Sequence, residues 1–86
     1  MKKAENVSIT RLDYGQFYVD IVEYKYHFEA WILEKSFGVS SMMFGWEKRQ
    51  INNSEWDFNR FVKEVVEPNL FEEQARYLLR FAEDEY

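Results

Sequence analysis

The sequence predicts one α+β domain, in which an antiparallel sheet of about four strands is followed by two α-helices packed on one face of the sheet. Between residues 7 and 48, apolar and polar side chains alternate with a period of two, which is typical of strands. Between residues 55 and 83, apolar side chains recur every three or four residues, as in a helix with one buried face. The 86 residues suffice for a single core, so residues 1–86 form one domain.

The first two strands are separated by a glycine turn. Residues 7–14 mix β-branched and polar side chains, and residues 13–16 (Asp-Tyr-Gly-Gln) predict a turn because glycine adopts positive φ without strain. The alternation over residues 17–22 predicts the second strand. Residues 23–25 form either a tight turn or a bulge inside one long strand. We favour the turn, because strands usually run about 3–10 residues.

Two further strands complete the predicted meander. The alternation resumes over residues 26–33, and residues 36–38 (Ser-Phe-Gly) predict the next turn. Residues 39–46 form the last strand, with Met42, Phe44 and Trp46 on one face. Each strand is joined to the next by a short connection, which predicts antiparallel pairing between neighbours.

The two helices are predicted at about residues 55–67 and 70–83. Ser54 and Asp57 resemble a capping box at the start of the first helix. Pro68 ends that helix, because proline lacks an N–H and disfavours the α conformation in the residue before it. Asn69 then caps the second helix. The apolar positions that we expect to face the sheet are Phe58, Phe61, Val62, Val65, Val66, Leu70, Phe71, Leu78, Phe81 and Ala82.

Charge and composition exclude several classes of function. Residues 55–86 hold nine acidic and four basic residues, whereas residues 1–54 hold seven of each, so the second half carries the whole net charge of −5. Such a surface repels phosphate backbones, which disfavours direct nucleic-acid binding. The longest apolar run, residues 30–33, is far too short to span a membrane. No signal peptide follows Lys2 and Lys3, and cysteine is absent, so we expect a cytoplasmic protein.

No pattern in the sequence predicts catalysis, a metal site or a cofactor. His27 is the single histidine, and no cysteine can serve as a nucleophile or as a thiolate ligand. The glycines at positions 15, 38 and 45 are isolated, without the spacing that cradles a phosphate. We therefore expect a protein that is not an enzyme and that needs no cofactor.

Aromatic residues are the most informative feature, since they make up 20% of the chain. Two helices are expected to cover one face of the sheet. Phe17 and Phe28 lie on that face and are therefore expected in the core. The helix-free face is then expected to carry the candidate contact residues Tyr18, Tyr24, His27, Trp31 and Leu33. Either cross-strand aromatic pairs stabilise a half-hydrated sheet, or the face is an interface, because Tyr and Trp are favoured hot-spot residues. Base stacking is less well supported, since Asp20 and Glu29 lie among the aromatic residues in place of lysine or arginine.

These observations predict a non-catalytic, small acidic protein-interaction module, an adaptor or inhibitor, that binds another protein and forms a homodimer. The alternative hypothesis is an inhibitor whose acidic helices mimic nucleic-acid charge and block a DNA- or RNA-binding enzyme. Small size, acidity and a lack of motifs are typical of bacterial or phage accessory proteins. Trp31 is the expected anchor of the contact, on the helix-free face of the sheet.

Overall fold

The computed structural model describes residues 6–36 and 39–84, and it confirms the predicted α+β fold with a four-stranded antiparallel meander. The strands lie side by side in chain order. Their bounds are β1 Asn6–Tyr14, β2 Phe17–Tyr24, β3 His27–Glu34 and β4 Val39–Glu47. The period-two alternation therefore predicted all four strands.

The first two connections are tight turns. Gly15 has φ +75°, the only positive φ among the described residues, and its N–H donates to the Asp13 carboxylate at 3.0 Å. The second turn contains only Lys25 and Tyr26, because Glu23 and Tyr24 still belong to β2. The preference for a turn over a bulge is thus confirmed, although the turn lies two residues later than predicted. Of the predicted turn at residues 36–38, residues 37 and 38 lie outside the described residues.

The prediction of two separate helices is wrong. A single continuous helix comprises α1 (Ser54–Phe61), a π-helical turn (Val62–Val66) and α2 (Glu67–Asp84). Pro68 does not end it, because the wider π turn comes immediately before the proline and relieves its conflict with the preceding carbonyls. The Glu67 N–H donates to the Val62 carbonyl. Asn69 does not cap a helix; its side-chain amide donates to the Val65 carbonyl at 2.7 Å.

The start of the helix also differs from the predicted capping box. Asn53 is the N-cap, and its side chain accepts the Trp56 N–H at 3.2 Å. Ser54 instead accepts a hydrogen bond from the Lys48 ammonium at 3.1 Å. The Asp57 carboxylate turns away from the cap and is fully buried against the end of β4. The helix thus begins at Ser54, one residue before the predicted start at residue 55, and the capping residue was likewise assigned one position too late.

The core lies between the sheet and the first half of the helix. Phe28 contacts Phe58 and Phe61, with ring centroids 5.9 and 6.2 Å apart. The predicted core positions Phe71 and Leu78 are wrong, because both side chains are more than half exposed. They were placed in the core on the expectation that Pro68 ends the first helix and that a second helix packs on the same face of the sheet, whereas the helix continues through Pro68. The side chains of the predicted core positions Phe81 and Ala82 lie outside the described residues. The buried apolar residues are Phe17, Val19, Ile21, Phe28, Ala30, Ile32, Phe61, Val66 and Leu70.

Candidate interaction face

The helix-free face of the sheet, which we call the open face, brings the predicted contact residues together. Tyr18 lies opposite Leu33, and Asp20 opposite Trp31, in the pairing of β2 with β3. Directly paired residues share a face, and their Cβ atoms lie about 4.5–5.5 Å apart. The side chains of the open face are those of Ile9, Arg11, Asp13, Tyr18, Asp20, Val22, Tyr24, His27, Glu29, Trp31, Leu33, Met43, Gly45 and Glu47.

Tyr18 is held in place by two cations. The Arg11 guanidinium lies 4.6 Å from the centre of its ring, and the Lys35 ammonium lies 4.3 Å away. Both cations are also paired with carboxylates, Arg11 with Asp20 at 2.7 and 2.8 Å and Lys35 with Asp13 at 3.0 Å. The hydrogen bond to Asp20 raises the pKa of Arg11 above its ordinary value. This corner of the face is therefore ordered and electrically balanced.

A second cluster forms at the opposite end of the open face. The rings of Tyr24 and His27 stack with their centroids 4.4 Å apart and their planes 7° from parallel. His27 Nε2 lies 3.5 Å from the Glu29 carboxylate, which also accepts the Tyr24 hydroxyl at 3.4 Å. Burial of the hydroxyl and the neighbouring Glu29 raise the pKa of Tyr24. These contacts make His27 an ordering element of the open face.

Beside the second cluster, on the edge strand β4, lies a gap in the side-chain layer. Trp31 is half-buried and pairs with Met43 on β4, while Glu29 pairs with Gly45. Apart from Gly45 itself and its two chain neighbours, no heavy atom lies within 4 Å of the position that a Cβ on Gly45 would occupy. The gap is bordered along β4 by Met43 and Glu47, which flank the glycine on the same face. A partner side chain can enter here beside the indole of Trp31.

The sequence missed part of this face. Ile9 and Met43 are both more than half exposed and extend its apolar surface onto the two edge strands. Their alternation with neighbouring residues was visible, but only the strand register places them beside Val22 and Trp31. Arg11 was also missed, because its contact with Tyr18 joins two strands whose pairing the sequence does not reveal.

The helix-covered side of the sheet carries a groove and a buried cation. An open groove of about 400 Å³ lies where α1 crosses β1–β3, and its lining residues are Thr10, Glu23, Phe28, Ser54, Glu55, Phe58 and Asn59. The buried Lys48 ammonium binds Glu23 at 2.6 Å, and this pairing is the chief cause of the lowered pKa of Glu23. Within residues 6–36 and 39–84, no group of three His, Asp or Glu side chains is arranged to hold a metal ion.

Comparisons with known proteins leave the function to be inferred from this geometry. No protein-family model, curated protein or solved structure matches the chain. In the part of the chain that the structure describes, no helix has both the length and the apolar character needed to cross a membrane. The open face is therefore the candidate site on which a functional proposal can be built.

Proposed function

We propose that the protein is a non-catalytic interaction module, an adaptor or an inhibitor, whose open face binds another protein. The observation that supports this proposal is the register of β2 and β3, which gathers Tyr18, Trp31 and Leu33 on a sheet face without a helix. Tyrosine and tryptophan are enriched among the residues that dominate binding energy. An apolar patch rimmed by polar groups is typical of interaction surfaces. Such a function requires no cofactor, and the absence of cysteine fits the cytoplasm.

The charges on the open face favour a protein partner over a nucleic acid. Arg11 and Lys35 are already paired with Asp20 and Asp13, so neither is free for a phosphate. Glu29 and Glu47 add negative charge around the Gly45 gap. We therefore expect the partner to present apolar side chains to Trp31 and a basic side chain to this acidic end.

The alternative of an acidic nucleic-acid mimic has less support. Mimicry needs rows of exposed, unpaired carboxylates, whereas Glu64 pairs with Arg60 at 3.0 Å, and Glu72 with Arg76 at 2.8 Å. Asp57 is buried within the fold. Salt separates the two hypotheses, because affinity for a mimic falls steeply as salt rises. Binding through an apolar face changes little over the same range.

The test is affinity capture with the parent chain and with Trp31→Ala. We expect the variant to keep the parent far-UV circular dichroism and to bind the captured protein at least about thirtyfold more weakly, since truncating a central tryptophan costs about 2 kcal/mol or more. Unchanged affinity in a folded variant contradicts the proposal. An unfolded variant shows that Trp31 stabilises the sheet. The interface is then tested with a second substitution.

Gly45→Arg is that second substitution. Because no heavy atom beyond Gly45 and its two chain neighbours lies within 4 Å of the new Cβ, the fold should tolerate the side chain. The guanidinium fills the gap beside Trp31 and blocks a docked partner. Ile51→Glu is the matched control, since Ile51 is exposed but lies in the turn before α1, away from the open face. Capture should be lost with Gly45→Arg and retained with Ile51→Glu; equal capture by both places the interface elsewhere.

A further inference from the structure

His27 gives the open face a side chain of the type that changes charge near neutral pH. Histidine ordinarily gains or loses its proton between about pH 5 and 8, and the chain contains a single histidine. The side chain of His27 is 40% exposed, so the imidazole exchanges protons with water and is accessible to a bound partner. The imidazole therefore links the charge of the open face to pH.

Groups on three strands surround the imidazole. On β2, the ring of Tyr24 stacks against it with the centroids 4.4 Å apart. On β3, the Glu29 carboxylate lies 3.5 Å from His27 Nε2. On β4, Glu47 is paired directly with His27 and is exposed. His27 thus lies next to one aromatic ring and two acidic residues.

The basic residues that lie nearest in the sequence are engaged elsewhere. The Lys25 ammonium lies over the ring of Tyr26, 5.3 Å from its centre. The Lys48 ammonium is buried on the helix-covered side of the sheet, where it binds Glu23 at 2.6 Å. The protonation state of His27 therefore has a large effect on the net charge of this end of the open face.

The Gly45 gap is adjacent to these groups. Glu29 is paired directly with Gly45, and Glu47 follows Gly45 on the same face of β4. His27 is diagonal to Gly45, and diagonal neighbours in a sheet lie about 7–8 Å apart. A neutral imidazole leaves the two carboxylates beside the gap uncompensated, whereas an imidazolium cancels one of the two negative charges. A cation in the gap is therefore attracted less strongly at low pH.

We propose that protonation of His27 weakens the binding of a basic partner side chain beside Gly45, so that the open face binds its partner less tightly at about pH 5.5 than at about pH 8. The inference rests on the proposed function, because it concerns the regulation of the same face. A unit charge about 7 Å from the partner's cation changes the affinity about five- to tenfold at an effective dielectric constant of about 40. The imidazolium also forms an ion pair with Glu29, which leaves that carboxylate less available to the partner.

N-acetyl-argininamide, a probe with a single guanidinium, tests the inference without the partner. Its binding to the full chain is followed by NMR through the methyl group of Met43, which is more than half exposed and borders the Gly45 gap. The probe should bind about five- to tenfold more weakly at the lower pH. Neutral N-acetyl-glutaminamide, the control probe, should shift this methyl resonance little at either pH. No binding of the arginine probe near Met43, or equal affinity at the two pH values, overturns the inference.

Two substitutions of His27 assign the pH dependence to the imidazole. His27→Gln cannot be protonated, so the probe should bind it at both pH values as tightly as it binds the parent at the higher pH. His27→Lys carries a permanent charge and should bind the probe weakly at both. A His27→Gln variant that keeps the full pH dependence of the parent shows that another group is responsible. Far-UV circular dichroism checks that both variants are folded.

A pair of glutamate substitutions tests the site without altering His27. Glu47→Gln removes a carboxylate beside the gap and should weaken probe binding about five- to tenfold at the higher pH. Glu55→Gln is the matched control, since Glu55 is also exposed but lies on α1, on the other side of the sheet. Equal effects of the two substitutions show that the probe responds only to overall charge, which contradicts the inference.

The protein captured by the open face should show the same dependence on pH. Its own titration contributes equally to the parent and to His27→Gln, so the ratio of the two affinities isolates the imidazole. This ratio should be near one at the higher pH and favour His27→Gln at the lower. If binding requires Trp31 but the ratio does not change with pH, the inference fails and the proposed function stands. If Trp31→Ala folds and binds as the parent does, the proposed function fails, whatever the probe shows.

Discussion

Asp57 is the buried carboxylate whose removal most directly tests how the helix is attached to the sheet. It lies in the first turn of α1 and accepts three hydrogen bonds. The Trp46 indole N–H donates to it at 2.9 Å, the Arg49 N–H at 3.0 Å and the Gln50 N–H at 2.8 Å. One side chain thus joins the end of β4 and the following loop to the helix that covers the core.

Asp57→Ala should be strongly destabilising. It leaves three donors without their acceptor, and a buried donor without a partner costs about 1–3 kcal/mol. At the low end of that range the loss is about 3 kcal/mol, a large share of the roughly 4–13 kcal/mol expected for a chain of this length. Asp57→Asn keeps one accepting oxygen but turns an amide N–H₂ toward a backbone N–H. It should therefore lower the free energy of unfolding by less than Asp57→Ala does, by about 1–3 kcal/mol.

The stabilisation of the fold by the Asp57 carboxylate depends on pH. Burial by itself raises the pKa of Asp57, but hydrogen bonds from Arg49, Trp46 and Gln50 outweigh it and hold the pKa below its usual value of 3.8. A carboxyl whose pKa is lower in the folded than in the unfolded state stabilises the fold fully above its unfolded pKa. That stabilisation is lost as the pH falls through the lower, folded value.

Urea unfolding at about pH 7 and at several points below about pH 4 measures both effects. The parent should be more stable than Asp57→Asn, and Asp57→Asn more stable than Asp57→Ala, at neutral pH. The difference between the parent and Asp57→Asn should narrow in acid. Equal urea midpoints for the parent and Asp57→Asn at pH 7 would refute the role assigned to this carboxylate. So would a stability difference between these two chains that stays constant in acid.

Three further substitutions test the core, the buried ion pair and the π turn. Phe61→Ala should lower the free energy of unfolding by about 3–5 kcal/mol, because the ring is fully buried; a thermal midpoint within a few degrees of the parent's contradicts the packing. Lys48→Ala should cost about 1–3 kcal/mol in urea unfolding, since it removes the ammonium that the partly exposed Glu23 carboxylate binds, and adding Glu23→Gln should restore part of the loss. Asn69→Ala should cost about 0.5–1.5 kcal/mol by removing the bond to the Val65 carbonyl; no change in the urea midpoint shows that water replaces this bond.

The strands were predictable because alternation is a local property of the sequence. The register of β2 against β3, which assembles the open face, was not predictable. A turn of two residues, Lys25 and Tyr26, makes even-numbered residues of β2 pair with odd-numbered residues of β3, so Tyr18 shares a face with Leu33. A turn of three residues would instead pair Tyr18 with a core position. The stretch over residues 23–26 contains no glycine, proline or asparagine that would reveal the length of the turn.

The error at Pro68 has a different physical origin. The rule that proline ends a helix assumes a regular α-helical hydrogen-bond ladder. Here the preceding π turn and the Asn69 side chain accommodate the proline, and a π turn has no sequence signature that we could have used. Because the helix continues, Phe71 and Leu78 leave the predicted core and become exposed. The same structural feature therefore overturned both the prediction of a second helix and part of the predicted core.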